Sequence, residues 1–174
     1  MSIISFAGKL HSGKDTLAEI MENDGYIHVK FADSLKDLVC DILKTDRRTL
    51  EIIKDTILEI ILLPKDIFKI HQATEIKMGN LEGYTGKILE SPGALLQFLG
   101  TEIIRKFIPD WHIKKLMQRI KPEGHYVNSD CRFKNELEIL EKHGAECWYI
   151  VRPDKLNTES HVSENELSEK DFDN

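Results

Sequence analysis

Between Phe6 and Thr16 the chain reads FAGKLHSGKDT. Gly8, Gly13 and Lys14 stand at the spacing of the phosphate-binding loop G-x-x-x-x-G-K. In such a loop, glycines let backbone N–H groups curl around phosphates, the following helix N-terminus adds positive potential, and the lysine reaches the β- and γ-phosphates. The hydroxyl that normally follows the lysine and binds magnesium is displaced one step, to Thr16, and a carboxylate, Asp15, stands in its place. A chance glycine turn before a helix would not explain a lysine at the right step. Asp15 fits two chemistries. It can hold Mg²⁺ or its waters during transfer to a phosphate acceptor, which is already anionic, or it can take a proton from an alcohol acceptor.

Other reactive side chains come later. In SPGALLQFLGTEIIRKF, Gln97, Thr101 and Arg105 fall at i, i+4 and i+8, so a helix there shows an amide, a hydroxyl and a guanidinium in a row. That row is a substrate contact or a solvated polar face. In HYVNSDCRF, Asp130 at a strand end suits a magnesium-water acceptor, but YVNSD is less apolar than a buried metal-binding strand usually is, and a structural hydrogen-bonding role is open. Arg132, four residues before Glu136, either pairs with it on a helix face or meets phosphate. GYTGK near residue 85 echoes a phosphate loop but lacks the preceding strand and the spacing. Cys40, Cys131 and Cys147 form no C-x-x-C pair and no zinc-type spacing, which predicts reduced buried thiols. Trp111 and Trp148 read as core or edge-of-core residues.

These residues need a frame. SIISFAG is a β-rich run ending in glycine, and KDTLAEIMENDG follows with Leu17, Ile20 and Met21 at helical spacing. YIHVKFA then reads as a strand, and DSLKDLVCDILK as a helix with Leu35, Leu38, Val39, Ile42 and Leu43 on one face. The alternation β-α-β-α predicts a parallel sheet, with a ligand at its C-terminal edge. A further helix is predicted from Arg47 to Leu63, with Leu50, Ile53, Ile57 and Ile61 on its buried stripe and Pro64 ending it. MGNLEGYTGK is turn-rich. Regular structure restarts with Ser91 as N-cap and Pro92 at the first helical position. DWHIKKLMQRI gives another helix, HYVNSDCRF a strand, KNELEILEKHG a helix and AECWYIVRP a strand, before a polar, acidic tail.

At 174 residues this is one domain, 1–174, with a core over about 1–46 and 122–174 and a helical substrate-binding region over about 47–121. A net charge of −6 argues against a large nucleic-acid footprint, and no apolar run is long enough for a bilayer. MSIISFAG lacks the features of a secretion signal, which predicts a cytoplasmic location. The expected partners are small molecules, with neither nucleic acid nor membrane, and a homodimer is open.

The string GKxxSGKD (Gly8, Lys9, Ser12, Gly13, Lys14, Asp15), with Thr16, resembles the loop of phage deoxynucleoside monophosphate kinases and also that of animal-type phosphomevalonate kinases. Later segments favour the former. LLQFLGTEIIRKFIPDW is similar to that family's L-Q-x-x-G-T-E-x-x-R and following tryptophan, through Gln97, Gly100, Thr101, Glu102, Arg105 and Trp111. DCRFKNE resembles its D-x-R-x-x-N-E, through Asp130, Arg132, Asn135 and Glu136. YIVRP supplies Arg152, and SHVSE resembles its H-x-S-E, through His161, Ser163 and Glu164. The segments occur in the family's order and span nearly the whole chain.

The resemblance implies a P-loop kinase fold with a helical acceptor region and a short lid. It implies ATP-dependent, Mg²⁺-assisted phosphorylation of deoxynucleoside 5'-monophosphates to diphosphates, and, with a viral origin, a location in the host cytoplasm. ATP would bind through Gly8, Ser12, Gly13, Lys14 and Thr16. Asp15, Thr16 and Asp130 would surround Mg²⁺, while Gln97, Thr101, Arg105, Arg132 and Arg152 would hold substrate and transferred phosphates. Lys14, Asp15 and Arg132 would be the catalytic set. Two departures stand out. Gly93 occupies a position where the family commonly has arginine, leaving Arg47 or Arg48 as replacements, and the chain stops at DFDN where a closing strand is expected to continue. Other enzymes on the same loop, such as a phosphomevalonate-type or other small-metabolite kinase, remain open, as does an NTP hydrolase or nucleotide-binding module. The absence of N-K-x-D and D-x-x-G weighs against a GTPase switch.

Overall fold

The computed structural model describes residues 1–152 and 166–172. His161, Ser163 and Glu164 lie outside the described residues. The chain divides into two compact units, one made of 1–31 with 113–174, the other of 32–112.

The first unit is α/β. Strands β1 (Ser2–Ala7), β2 (Ile27–His28), β5 (His125–Cys131) and β6 (Glu146–Tyr149) form one sheet in the order β2-β5-β1-β6. Every pairing is parallel. All four strands therefore point their C-terminal ends to the same edge, where the loop after β1 emerges. Parallel strands need both faces covered. On one face, Phe6 and Val127 meet Ala18 of helix α1 (Lys14–Asn23). On the other, Ile3, Ala7 and Tyr126 pack with Ile113 and Leu116 of α7 (Trp111–Arg119) and with Leu137 and Leu140 of α8 (Lys134–Lys142). Ile20, placed by periodicity on the inner face of α1, is instead more than half exposed, and the small Ala18 makes the close contact with the sheet.

Polar residues in the middle of β5 are tolerated because each is bonded. Asn128, fully buried, accepts from the Ser5 hydroxyl at 3.2 Å and donates to the Val29 carbonyl at 3.0 Å, joining the strands on either side.

The second unit is mostly helical: α2 (Asp33–Leu43), α3 (Arg47–Ile53), α4 (Pro64–Thr74), α5 (Met78–Leu81) and α6 (Pro92–Gln97), with a two-stranded antiparallel sheet of β3 (Ile60–Ile61) and β4 (Ile88–Leu89). Its core gathers Leu38, Leu50, Leu62, Ile67, Leu95, Leu99 and Trp111. The helix expected over Arg47–Leu63 stops at Ile53. Beyond it the backbone bonds to the 87–90 segment, Leu58 N to Glu90 O at 2.8 Å and Leu62 N to Lys87 O at 3.0 Å. Ile57 and Ile61 are accordingly exposed rather than on a buried stripe. β-branched residues suit an extended strand better than a helix, and the partner strand decides. Pro64 then opens α4 at a position where its missing N–H costs nothing. Ser91 caps α6 by accepting from Ala94 N at 3.0 Å, with Pro92 first in the helix, as the sequence predicts. From Phe98 to Arg105 the helix widens into π-helical turns, so residues four apart no longer stack in a straight row.

Candidate active site

The loop from Gly8 to Gly13 leaves β1 and enters α1. Gly8 has φ +137°, and a Cβ there would meet the Ile150 carbonyl at 2.4 Å; Gly13, with φ +102°, supplies the left-handed turn into the helix. Both conformations belong to glycine. Lys14 is buried, and its ammonium donates to the carbonyls of Gly8 at 2.7 Å and Lys9 at 2.6 Å and to the Ser12 hydroxyl at 3.2 Å. The structure thus brings Gly8, Ser12, Gly13 and Lys14 together around one cation at the C-terminal edge of the sheet. Thr16 follows, exposed, in the first turn of α1.

Asp15 is also exposed, at the helix N-terminus, where a negative charge is favoured. Its Oδ1 accepts from Lys30 Nζ at 2.6 Å and from the Ser129 hydroxyl at 2.7 Å. Partial burial pushes its acidity down. The hydrogen bonds from Lys30 and Ser129 and the nearby charges of Lys30 and His28 outweigh that effect and hold the carboxyl below its ordinary value. Ser129 in turn lies 2.8 Å from Nε2 of His28, whose Nδ1 is 3.5 Å from Glu22 Oε2. Lys30, Ser129 and His28 were not legible as site residues. The only available signal was position: Lys30 follows the second strand and Ser129 precedes Asp130, so both fall at the ligand-bearing edge.

Asp130 sits at that edge too. Its Oδ1 accepts from Phe31 N at 2.8 Å and from Asn128 Nδ2 at 2.9 Å, so at least one oxygen braces β2 against β5. Arg132 lies in the turn between β5 and α8 rather than on the helix. Glu136 is buried, and its Oε2 accepts from the backbone N–H groups of Arg132 and Phe133 at 2.9 and 3.2 Å. This ties down the turn and leaves the Arg132 side chain exposed, with no ion pair among the described residues. Beside the phosphate loop opens a cleft of about 300 Å³, walled by Lys9, Leu10, Ser12, Tyr149, Ile150, Val151 and Arg152 and by Ser168–Lys170. Arg152 thus stands next to the loop.

Gln97, Thr101 and Arg105 lie in the second unit, on α6 and its π-helical continuation, with Gln97 and Thr101 exposed and Arg105 half-buried. Gly93 has a local reason. A Cβ there would come within 2.8 Å of the Lys54 carbonyl, which accepts from Gly93 N at 2.7 Å, so a larger residue is disfavoured at this helix start. Arg47, one of the two candidate replacements, is committed to α2, donating to Asp33 O at 2.6 Å and Asp37 Oδ1 at 2.8 Å. Arg48 is exposed.

A parallel sheet whose first strand passes through a glycine loop and a loop-bound lysine into a helix defines a P-loop kinase-like protein. Residues 90–174, just under half of the chain, match the family model described as deoxynucleotide monophosphate kinase. The match supports the resemblance carried by the motifs, and with it a kinase: a phosphotransferase acting on deoxynucleotide monophosphates. The search of curated proteins found no match.

Proposed function

We propose that the chain transfers the γ-phosphoryl group of ATP to deoxynucleoside 5'-monophosphates, giving diphosphates, with Mg²⁺ bound to the nucleotide. The observation that carries this reading is the Lys14 ammonium held by the phosphate loop, next to an open cleft, in a chain whose later half matches this kinase family. In this reading the loop backbone from Gly8 to Gly13, Ser12 and Lys14 receive the donor phosphates, and the apolar wall of Leu10, Tyr149 and Ile150 takes the base, with Arg152 at its rim. A mostly apolar cleft with a few charged groups is the usual setting for a nucleotide base.

The donor chemistry fits Mg²⁺. Asp15 Oδ2 and the Thr16 hydroxyl are hard oxygen donors on adjacent residues, Asp130 supplies another carboxylate on the same sheet edge, and Mg²⁺ takes such ligands along with water and phosphate. When bound, it neutralises charge developing on the transferred group. The chain's own groups orient the donor and supply positive charge. Arg132, exposed beyond β5, is assigned to the transferred phosphoryl group, and Gln97, Thr101 and Arg105 to the acceptor. A phosphate acceptor needs no strong base, so positioning and electrostatics carry the catalysis.

Acceptor-dependent ADP release tests this directly, using ATP and Mg²⁺ with a panel of deoxynucleoside monophosphates and small-metabolite phosphates. Release with deoxynucleoside monophosphates alone supports the proposal. Release without acceptor identifies a hydrolase, release with another metabolite identifies a different kinase, and no release identifies a binder. Arg132→Ala is expected to lower turnover by on the order of 10³–10⁵ with the fold intact; near-normal turnover removes Arg132 from the catalytic set.

A further inference from the structure

Asp15 is held asymmetrically. Lys30 and Ser129 both donate to Oδ1, and Oδ2 takes no hydrogen bond among the described residues. Of the two donors, Ser129 is the buried one: it is 2% exposed, inside β5, with its hydroxyl 2.7 Å from Asp15 and 2.8 Å from His28 Nε2. A serine hydroxyl has one proton, and an ionised carboxylate only accepts. The proton therefore goes to Asp15, the hydroxyl oxygen must accept from His28, and the network requires a proton on Nε2 of His28. Glu22 faces the other ring nitrogen from α1. The hydrogen bonds run in one direction, from His28 through Ser129 into a single oxygen of Asp15.

We propose that Ser129 and His28 are positioning residues for Asp15, fixing Oδ1 so that Oδ2 is the oxygen offered to the magnesium-bound nucleotide. This rests on the kinase reading above for its chemistry, but the hydrogen-bond direction stands by itself. Position 15 is where the usual loop has a short hydroxyl residue, and a longer carboxylate has more freedom to misalign. A buried donor on the neighbouring strand removes that freedom.

Two measurements on the full chain test it. Nitrogen NMR of the metal-free and nucleotide-free protein should show neutral His28 as the Nε2–H tautomer, and Ser129→Ala or Asp15→Ala should abolish that preference. In the kinetic assay, Ser129→Ala should raise the Mg²⁺ requirement or lower kcat by about ten- to a hundredfold, since the lost bond is to a charged group, while the KM for acceptor stays unchanged. Ser129→Thr should restore it, and Ser129→Ala should add nothing once Asp15 is alanine. An Nδ1–H tautomer in the wild type overturns the proposal whether or not any variant folds. So does a Ser129→Ala variant with wild-type kinetics, or one whose defect persists undiminished in the Asp15→Ala background. If no acceptor supports ADP release by the wild type, the kinase reading fails, and the tautomer measurement alone still decides the hydrogen-bond direction.

Discussion

Gly8 sets the path of the phosphate loop. Its φ of +137° is a region that L side chains rarely adopt, and the Ile150 carbonyl that a Cβ would strike belongs to the backbone just after β6, which bonds to Ala7 at 2.8 Å and cannot easily withdraw. Gly8→Ala should destabilise the protein by about 1–3 kcal/mol from backbone strain, with the overlap adding to it. Thermal melting measures this, and a variant that melts with the wild type would show that the loop is not built as described. Gly8, Gly13 and Lys14 were legible in the sequence because a local turn and a local helix start demand them. Ser129, His28 and Lys30 were not, because their meeting with Asp15 depends on strand order: His28 and Ser129 are 101 residues apart in the chain.

Among the elements, the pair α2 and α3 shows how charge joins helices in the second unit. Glu51 on α3 bonds to Lys36 of α2 and lies 3.1 Å from Lys54. Partial burial by itself pushes its carboxyl up, but the bonds and charges of the two lysines outweigh this, so it is held below its ordinary value. The folded state therefore prefers the ionised form more than the unfolded chain does. The stabilisation is present above about pH 4.5 and is lost as pH falls through the folded value. Melting curves taken from neutral pH down through that window should show wild type losing more stability than Glu51→Gln, and parallel losses would remove Glu51 from the acid response. The helix ends themselves were partly legible. Ser91 and Pro92 announce α6 through chemistry confined to a few residues, whereas the end of α3 at Ile53 depends on strand pairing with residues more than twenty-five positions away. The π-helical stretch after Gln97 had no signal in the spacing of Gln97, Thr101 and Arg105, which reads as ordinary α-helix.

Across the whole molecule, Cys40, Cys131 and Cys147 are buried free thiols. Burial pushes Cys147 up to about 12 and Cys131 higher still, and it raises Cys40 despite the charge of Arg47. Since the thiolate is the reactive form, a thiol reagent near neutral pH should leave all three untouched in the folded protein and modify all three after unfolding. One fast-reacting thiol in the native state would mean that its surroundings open. By itself the sequence determined the phosphate loop, the alternation that makes a parallel sheet, the kinase resemblance and the reduced state of the cysteines. These follow from short-range spacing, hydrophobic pattern and composition, each read within a few neighbouring residues. Tertiary structure decided the sheet order β2-β5-β1-β6, the early end of α3, the use of Asp130 Oδ1 as a brace and the donors that hold Asp15. The reason is that strand pairing and side-chain hydrogen bonds join residues far apart in the chain, and no local pattern records which of the possible partners will meet.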